Sequence, residues 1–229
     1  MKKLLKIAAA LVIAASLTAC SGKSENRYNS AADAYKSYYD NATSIIDSNS
    51  IDSPHEYQYS FDGDQYVGTY KGDWANNAPN GNGTFSGSSS NGDKVTATGT
   101  WKSGQLNGQG EVTVDFKTPF MNQDSITFKG EFVNDALNGE GECISYYTDE
   151  FIAEYGATKA VTKGQFKNNG ATGKVEASNY FNAAFATEYG YDRTVISGTF
   201  NGVDDFERPY TIRYYSGSTP VDEIIMGFD

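Results

Sequence analysis

The sequence predicts a mainly β protein: one elongated antiparallel sheet of stacked hairpins, preceded by one amphipathic helix, with short helical inserts late in the sheet. Three observations predict it. Apolar and polar residues alternate strictly over several stretches, and period-two patterning marks half-buried strands. A Gly followed two positions later by a large ring returns five times. Gly is abundant at 24 of 229 residues and Pro is scarce at 5, while 17 Tyr and 13 Phe supply apolar mass for a core.

The chain opens with MKKLLKIAAALVIAASLTAC. Lys2, Lys3 and Lys6 form a positive start, an apolar run follows from Ile7, and small residues close it before Cys20. The run is too short to span a bilayer comfortably and has the order of a signal peptide. Leu17-Thr18-Ala19-Cys20 resembles the bacterial lipoprotein lipobox. The resemblance implies cleavage before Cys20, a diacylglycerol thioether on its sulfur and further acylation, for example by palmitate. More than one acyl chain makes such an anchor stable. If Cys20 is acylated, Cys143 is left alone, and the sheet must hold without a covalent staple. Cys143 is then read as a small apolar side chain on a buried sheet face.

Ser21–Asn29 is polar and without periodicity, as a flexible tether is. Ser30 with Asp33 forms an N-cap signal, and Ala31, Tyr35, Tyr38, Tyr39, Ala42, Ile45 and Ile46 follow at helical spacing. This predicts an amphipathic helix over 30–47. Its apolar stripe is expected to dock on the following domain, because a membrane-surface helix would carry more Lys and Arg.

The repeat comes next. Its Gly-x-ring cores are Gly72-Asp73-Trp74, Gly99-Thr100-Trp101, Gly130-Glu131-Phe132, Gly164-Gln165-Phe166 and Gly198-Thr199-Phe200. The rings stand 27, 31, 34 and 34 residues apart. Seven and nine residues after the ring, the first three copies carry Gly81 and Gly83, Gly108 and Gly110, and Gly139 and Gly141. The fourth keeps Gly173 but has Val175, and the fifth has Glu207 at the first Gly position. In the second copy Val95, Ala97, Gly99 and Trp101 alternate with threonines, and Val112, Val114 and Phe116 alternate with polar residues after a short gap. That is a hairpin, and the recurring Asn-Gly pairs are read as hairpin turns. Glycines on the face of the rings leave room for a neighbouring ring to lie across the partner strand. Val at Gly110 or Gly141 is therefore expected to clash with a ring.

Tyr70-Lys71-Gly72-Asp73-Trp74 followed by Asn80-Gly81-Asn82-Gly83-Thr84-Phe85 resembles a MORN repeat. The resemblance extends over about 66–200 and implies an elongated sheet of stacked hairpins with roles in protein contact or lipid association. The spacing here is longer than the family's usual one, so a uniform rod is not expected.

The extra length is itself ordered. Phe151-Ile152-Ala153-Glu154-Tyr155-Gly156 and Phe185-Ala186-Thr187-Glu188-Tyr189-Gly190 stand 34 residues apart. Each reads as a short helical turn stopped by Gly and laid against the sheet, where it would seal the aromatic face. Tyr210–Tyr215 reads as one more strand, and Val221–Asp229 as a closing edge or tail. The expected organisation is a leader over 1–19, a tether over 20–29, a helix and linker over 30–54, the repeat sheet over 55–215 and a C-terminal edge or tail over 216–229.

Charge bounds the function. The chain carries 18 Lys and Arg against 29 Asp and Glu, and without the leader the net charge is −14. Non-specific nucleic-acid binding and adhesion to anionic lipid both need the opposite sign. His55, the single histidine, follows Ser53-Pro54 and is read as a surface loop residue. No Gly-x-Ser-x-Gly, Cys/His pair, zinc spacing or EF-hand loop is present, and Asp62-Gly63-Asp64 is too short to hold calcium. Asp73, Glu111, Glu131, Glu140 and Glu142 alternate along strands, as on a solvated sheet face. The expectation is a non-catalytic, envelope-anchored lipoprotein without cofactor or metal. It would act as a binding or scaffold module on the outer face of the cell membrane, or at an outer membrane where there are two. Its partners would be the membrane through Cys20 and an envelope protein or glycan, and not nucleic acid. The alternatives are a carbohydrate-binding surface, suggested by Ile144 and Tyr146 on a polar face, and a hydrolase built on an unrecognised carboxylate pair.

Overall fold

A computed structural model describes residues 54–200 and 206–227. The leader, the lipobox, the tether and the expected helix over 30–47 lie outside the described residues. The chain forms β1 (His55–Phe61), β2 (Asp64–Ala75), β3 (Ala78–Ser88), β4 (Lys94–Lys102), β5 (Gln105–Phe120), β6 (Gln123–Val133) and β7 (Ala136–Tyr147). Helix α1 (Asp149–Tyr155), β8 (Ala157–Lys167), β9 (Gly170–Phe181), α2 (Ala183–Tyr189), β10 (Arg193–Phe200), β11 (Phe206–Ser216) and β12 (Thr219–Met226) complete it. The twelve strands make one antiparallel sheet in sequential order. Each pair of neighbours in sequence is a pair in space, which is why alternation along single strands is enough to specify the sheet.

Register turns the repeat into rows that run across the strands. Gly72, Gly83, Gly99, Gly110, Gly130, Gly141 and Gly164 are successive cross-strand partners on β2 to β8, and Val175 and Gly198 continue the row. Next to it runs an inward row of Tyr70, Phe85, Ala97, Val112, Phe128 and Cys143, all buried. Between each of Gly72, Gly99, Gly130 and Gly164 and its ring the pairing slips by two residues, because the facing strand carries two extra positions. These four have φ between 136° and 153°, a region Gly alone enters freely, and the bulge sharpens the local bend.

What fills the glycine row differs from the expected ring. A Cβ at Gly110 or Gly141 would meet Leu106 or Leu137 at about 3 Å, whereas a ring closes the gap at Gly83, where Tyr70 lies over it, and at Gly198, where Phe206 Cδ1 would stand 3.1 Å away. Leu106 and Leu137 are fully buried and stand opposite Trp101 and Phe132. Burying each contributes about 1.5–3 kcal/mol. Trp101, Phe132, Phe166 and Phe200 are buried, each opposite the glycine seven residues after the preceding repeat's ring: Gly81, Gly108, Gly139 and Gly173 respectively. No ring is among the closest neighbours of those glycines, and Trp101 Nε1 donates instead to the Gly83 carbonyl at 3.1 Å.

The hairpin turns also differ from expectation. Asn80-Gly81, Asn107-Gly108 and Asn138-Gly139 lie within strands. The turns are Asn76-Asn77, Ser103-Gly104, Asn134-Asp135 and Asn168-Asn169, with positive φ at both residues. Two-residue loops of that kind match the strand twist, and short polar side chains tolerate the left-handed region. The turns are also cross-linked. Leu106 N–H donates to Asp135 Oδ1 at 2.7 Å, and Asp135 N–H returns a bond to the Leu106 carbonyl at 3.0 Å. One repeat later Leu137 N–H donates to Asn169 Oδ1 at 2.7 Å, and Asn169 N–H to the Leu137 carbonyl at 3.1 Å. Burial pushes the Asp135 carboxyl up to about 6, with the Leu106 N–H and the Gln105 side chain pulling the other way.

The inward rings are covered by the sheet's own first strand. Tyr57 packs on Trp74 and Phe85 and donates to the Gly104 carbonyl at 2.7 Å. Tyr59 packs on Phe85 and Trp101, and Phe61 on Phe128. β1 therefore pairs with β2 along its edge and also crosses β3 to β6. His55 is not a surface loop residue: it starts β1, is 6% exposed, and stacks on Trp74 with ring centroids 4.0 Å apart.

Both inserts are helices with the same caps. Thr148 and Asn182 accept from the N–H of Phe151 and Phe185. Gly156 and Gly190 close the helices in the left-handed region at φ 71° and 81°. Phe151 stacks on Tyr147 and Phe185 on Phe181, so the inserts extend the core at the connections of β7 to β8 and β9 to β10. They do not lie over Trp101 or Phe128, whose ring partners come from β1 and β2. Cys143 is fully buried on the inward face, as expected of its position, but it is disulfide-bonded, which corrects the expectation of an unstapled thiol.

Candidate functional site

The outward face of the first seven strands is hydroxyl and charge. Thr96, Thr113 and Thr127 are cross-strand partners, and so are Thr84 and Thr98. Glu111, Lys129, Glu142, Lys163 and Glu176 alternate in sign across β5 to β9. Lys129 bonds Glu111 at 3.0 Å and Lys163 bonds Glu142 at 3.2 Å. Exposed pairs of this kind stabilise little but hold each charge at its neighbour. Glu140 accepts from Gln165 Nε2, and Asp73 from the Asn82 N–H at 2.8 Å. Four of the five acidic residues singled out in the sequence thus already serve a partner within the sheet, and Glu131 stands exposed opposite Gln109. A shallow groove of about 560 Å³ lies over the glycine row between Lys71, Asp73, Asn82, Thr84 and Thr98. Among the described residues no group of three or more His, Cys, Asp or Glu gathers as a metal cluster would, and no helix is long and apolar enough to cross a membrane.

The late strands present something different. Tyr146 on β7, Lys159 on β8, Tyr180 on β9, Arg193 on β10 and Tyr215 on β11 are successive cross-strand partners in one row. Alternation places them outward, because Ser145, Ala160, Asn179, Thr194 and Tyr214 beside them are buried inward. Lys159 Nζ lies 4.8 Å from the Tyr180 ring centre, and the Arg193 guanidinium lies 5.8 Å from Tyr180 and 4.4 Å from Tyr215. These are cation–π distances. Tyr146 is 43% exposed and ends the row. Arg213, on the same face, is held by Glu223, whereas Lys159 and Arg193 face rings and have no carboxylate partner among the described residues. Arg193 Nε is shielded from solvent and has no hydrogen-bond partner.

The predicted residues thus divide. The repeat glycines and rings build the sheet and its core, and none of them lines the Tyr–cation row. Tyr146 and Ile144 do lie outward, and Ile144, Val161, Ser178 and Val195 form the neighbouring row. Sequence reasoning misses Lys159, Tyr180, Arg193 and Tyr215, because their adjacency depends on the register of four strand pairs. The signal available was duplication: Tyr146 and Tyr180 stand 34 residues apart, the spacing of the repeat.

A family model for the MORN repeat matches residues 70–92, 98–113 and 128–146. The chain therefore carries MORN repeats at three places, which correspond to the first three copies read from the sequence. No curated protein matches the chain.

Proposed function

We propose that this protein is a non-catalytic binding module of the bacterial cell envelope, anchored through lipid on Cys20 and presenting the outward face of its MORN-repeat sheet to a partner. The repeats support a binding or scaffold role. The observation that carries the choice of surface is the Tyr146–Tyr215 row, where rings and cations without carboxylate partners stand on an otherwise acidic molecule. Inward side chains are committed to the core, and the outward charges of β5 to β8 pair with one another. The row keeps chemistry to spare. A glycan partner is favoured as a second reading by the exposed Tyr146, since an exposed ring can stack on a sugar face.

Anchoring rests on the lipobox resemblance. The sequence holds two cysteines, so a thioether at Cys20 and a disulfide at Cys143 exclude each other within one molecule. Intact mass of the protein extracted from envelopes checks the anchor: a lipid adduct on Cys20, lost in Cys20→Ala, is expected. An unlipidated chain retained as a disulfide would overturn the anchor. For the binding surface, a photo-crosslinker at position 146 is expected to capture a defined envelope component, whereas the same group at position 129 is not.

A further inference from the structure

The spacing of the Tyr–cation row is more informative than its composition. Neighbouring strands lie about 4.8 Å apart, so rings recur every second strand at about 9.6 Å and a cation stands midway. Tyr146 to Tyr215 spans four strand steps, about 19 Å. An extended peptide laid across these strands presents same-face side chains about 6.6–6.8 Å apart and falls out of phase within one repeat. Pyranose rings in an extended glycan advance by close to one strand spacing each. Every second sugar then meets a Tyr ring, and every other sugar meets Lys159 or Arg193. Both cations lack a carboxylate partner among the described residues, and the ring faces hold them in place. Such a cation is pre-positioned for a ligand anion at small entropic cost.

We propose that the Tyr146–Lys159–Tyr180–Arg193–Tyr215 row binds an extended acidic polysaccharide with a disaccharide repeat, carrying one carboxylate per repeat. This rests on the reading of the outward face as the binding surface and adds the ligand's class. Sheet twist turns the row by roughly 20–25° per strand, so the chain winds gently as it crosses, which glycosidic torsions permit. Tyr146 stacks on a sugar face, Tyr180, whose faces hold Lys159 and Arg193, meets a second sugar with its edge, and the Lys159 ammonium donates to a carboxylate. The Arg193 guanidinium contributes its outer nitrogens, since its Nε is shielded.

The test is calorimetric titration of the full chain in detergent with three ligands: a hyaluronan hexasaccharide, which has one carboxylate per disaccharide, neutral chitohexaose, and hexaglutamate. Saturable hyaluronan binding is expected, weakened by salt, with chitohexaose at least roughly tenfold weaker. Lys159→Gln is expected to lose roughly tenfold and Tyr146→Ala several-fold, while Lys129→Gln, on the same face but away from the row, changes nothing. Tyr146 is exposed, so its variant keeps the fold, and thermal melting verifies this. Equal binding of hyaluronan by wild type and Lys159→Gln, or equal binding of chitohexaose, overturns the proposal. Hexaglutamate binding that depends on Tyr146, without sugar binding, overturns the ligand class and leaves the outward surface standing. No binding of any ligand, with no capture from position 146, removes both.

Discussion

Asn169 Nδ2 donates to Asp62 Oδ1 at 3.2 Å, joining residues 107 positions apart. Asp62 is the first residue of the β1–β2 turn and Asn169 the second residue of the β8–β9 turn. The first hairpin therefore reaches across the inward face to a late repeat. The same Asn169 takes the buried Leu137 N–H. Asn169→Ala orphans that donor and is expected to lower stability by about 1–3 kcal/mol. Asp62→Ala breaks the clamp but leaves the Leu137 N–H its acceptor, and urea unfolding is expected to rank it the milder change.

Asp135 makes a pH prediction. Its folded carboxyl titrates at about 6, above the ordinary 3.8, because of burial. Between those values the folded state holds a proton that the unfolded chain releases. The contribution is full below about pH 4 and is lost as pH rises through 6. After allowance for partial exposure it amounts to about 1–2 kcal/mol. Asn at this position keeps the acceptor for Leu106, as Asn169 does for Leu137. Asp135→Asn is expected to raise stability at pH 7 and to flatten stability against pH between 4 and 6.5. An unchanged slope in denaturant titrations across that range would refute the assignment.

Two glycines separate steric from conformational cost. A Cβ at Gly99 would lie 2.4 Å from the Gln109 carbonyl oxygen, a backbone atom that cannot swing aside, whereas a Cβ at Gly139 meets nothing within 4 Å. Both have positive φ. Gly139→Ala is expected to cost about 1–2 kcal/mol from backbone strain alone. Gly99→Ala adds an overpacking cost of about 1–3 kcal/mol or more, and its melting temperature should fall well below that of Gly139→Ala.

Leu106 and Leu137 carry the packing over the glycine row. Leu106→Ala or Leu137→Ala is expected to cost about 2–5 kcal/mol, the range for an emptied core site. Phe116→Leu, on the half-buried end of β5, is expected to cost less. Chemical denaturation of the three variants checks the order.

The strands, the two capped inserts and the single sheet were legible because they are local. Alternation in Val95–Trp101 needs only the neighbouring residue, and Gly156 and Gly190 stop their helices within one turn. The apolar residue ahead of Asn107 and Asn138 was a signal too, since Leu106 and Leu137 repeat with the motif. The turns were misplaced because Asn-Gly is the stronger local pattern. The chain instead turns at Asn134-Asp135 and Asn168-Asn169, where side chains reach the next repeat.

By itself, then, the amino-acid order determined that this chain forms consecutive antiparallel hairpins with one apolar face, since period and spacing act through residues adjacent in the chain. Only the tertiary structure decided which side chains cover that face, that β1 folds back to do so, and that Tyr146, Lys159, Tyr180, Arg193 and Tyr215 fall into line. Register is the reason: a slip of one residue in any of four strand pairs would turn a side chain of that row inward and break the alignment.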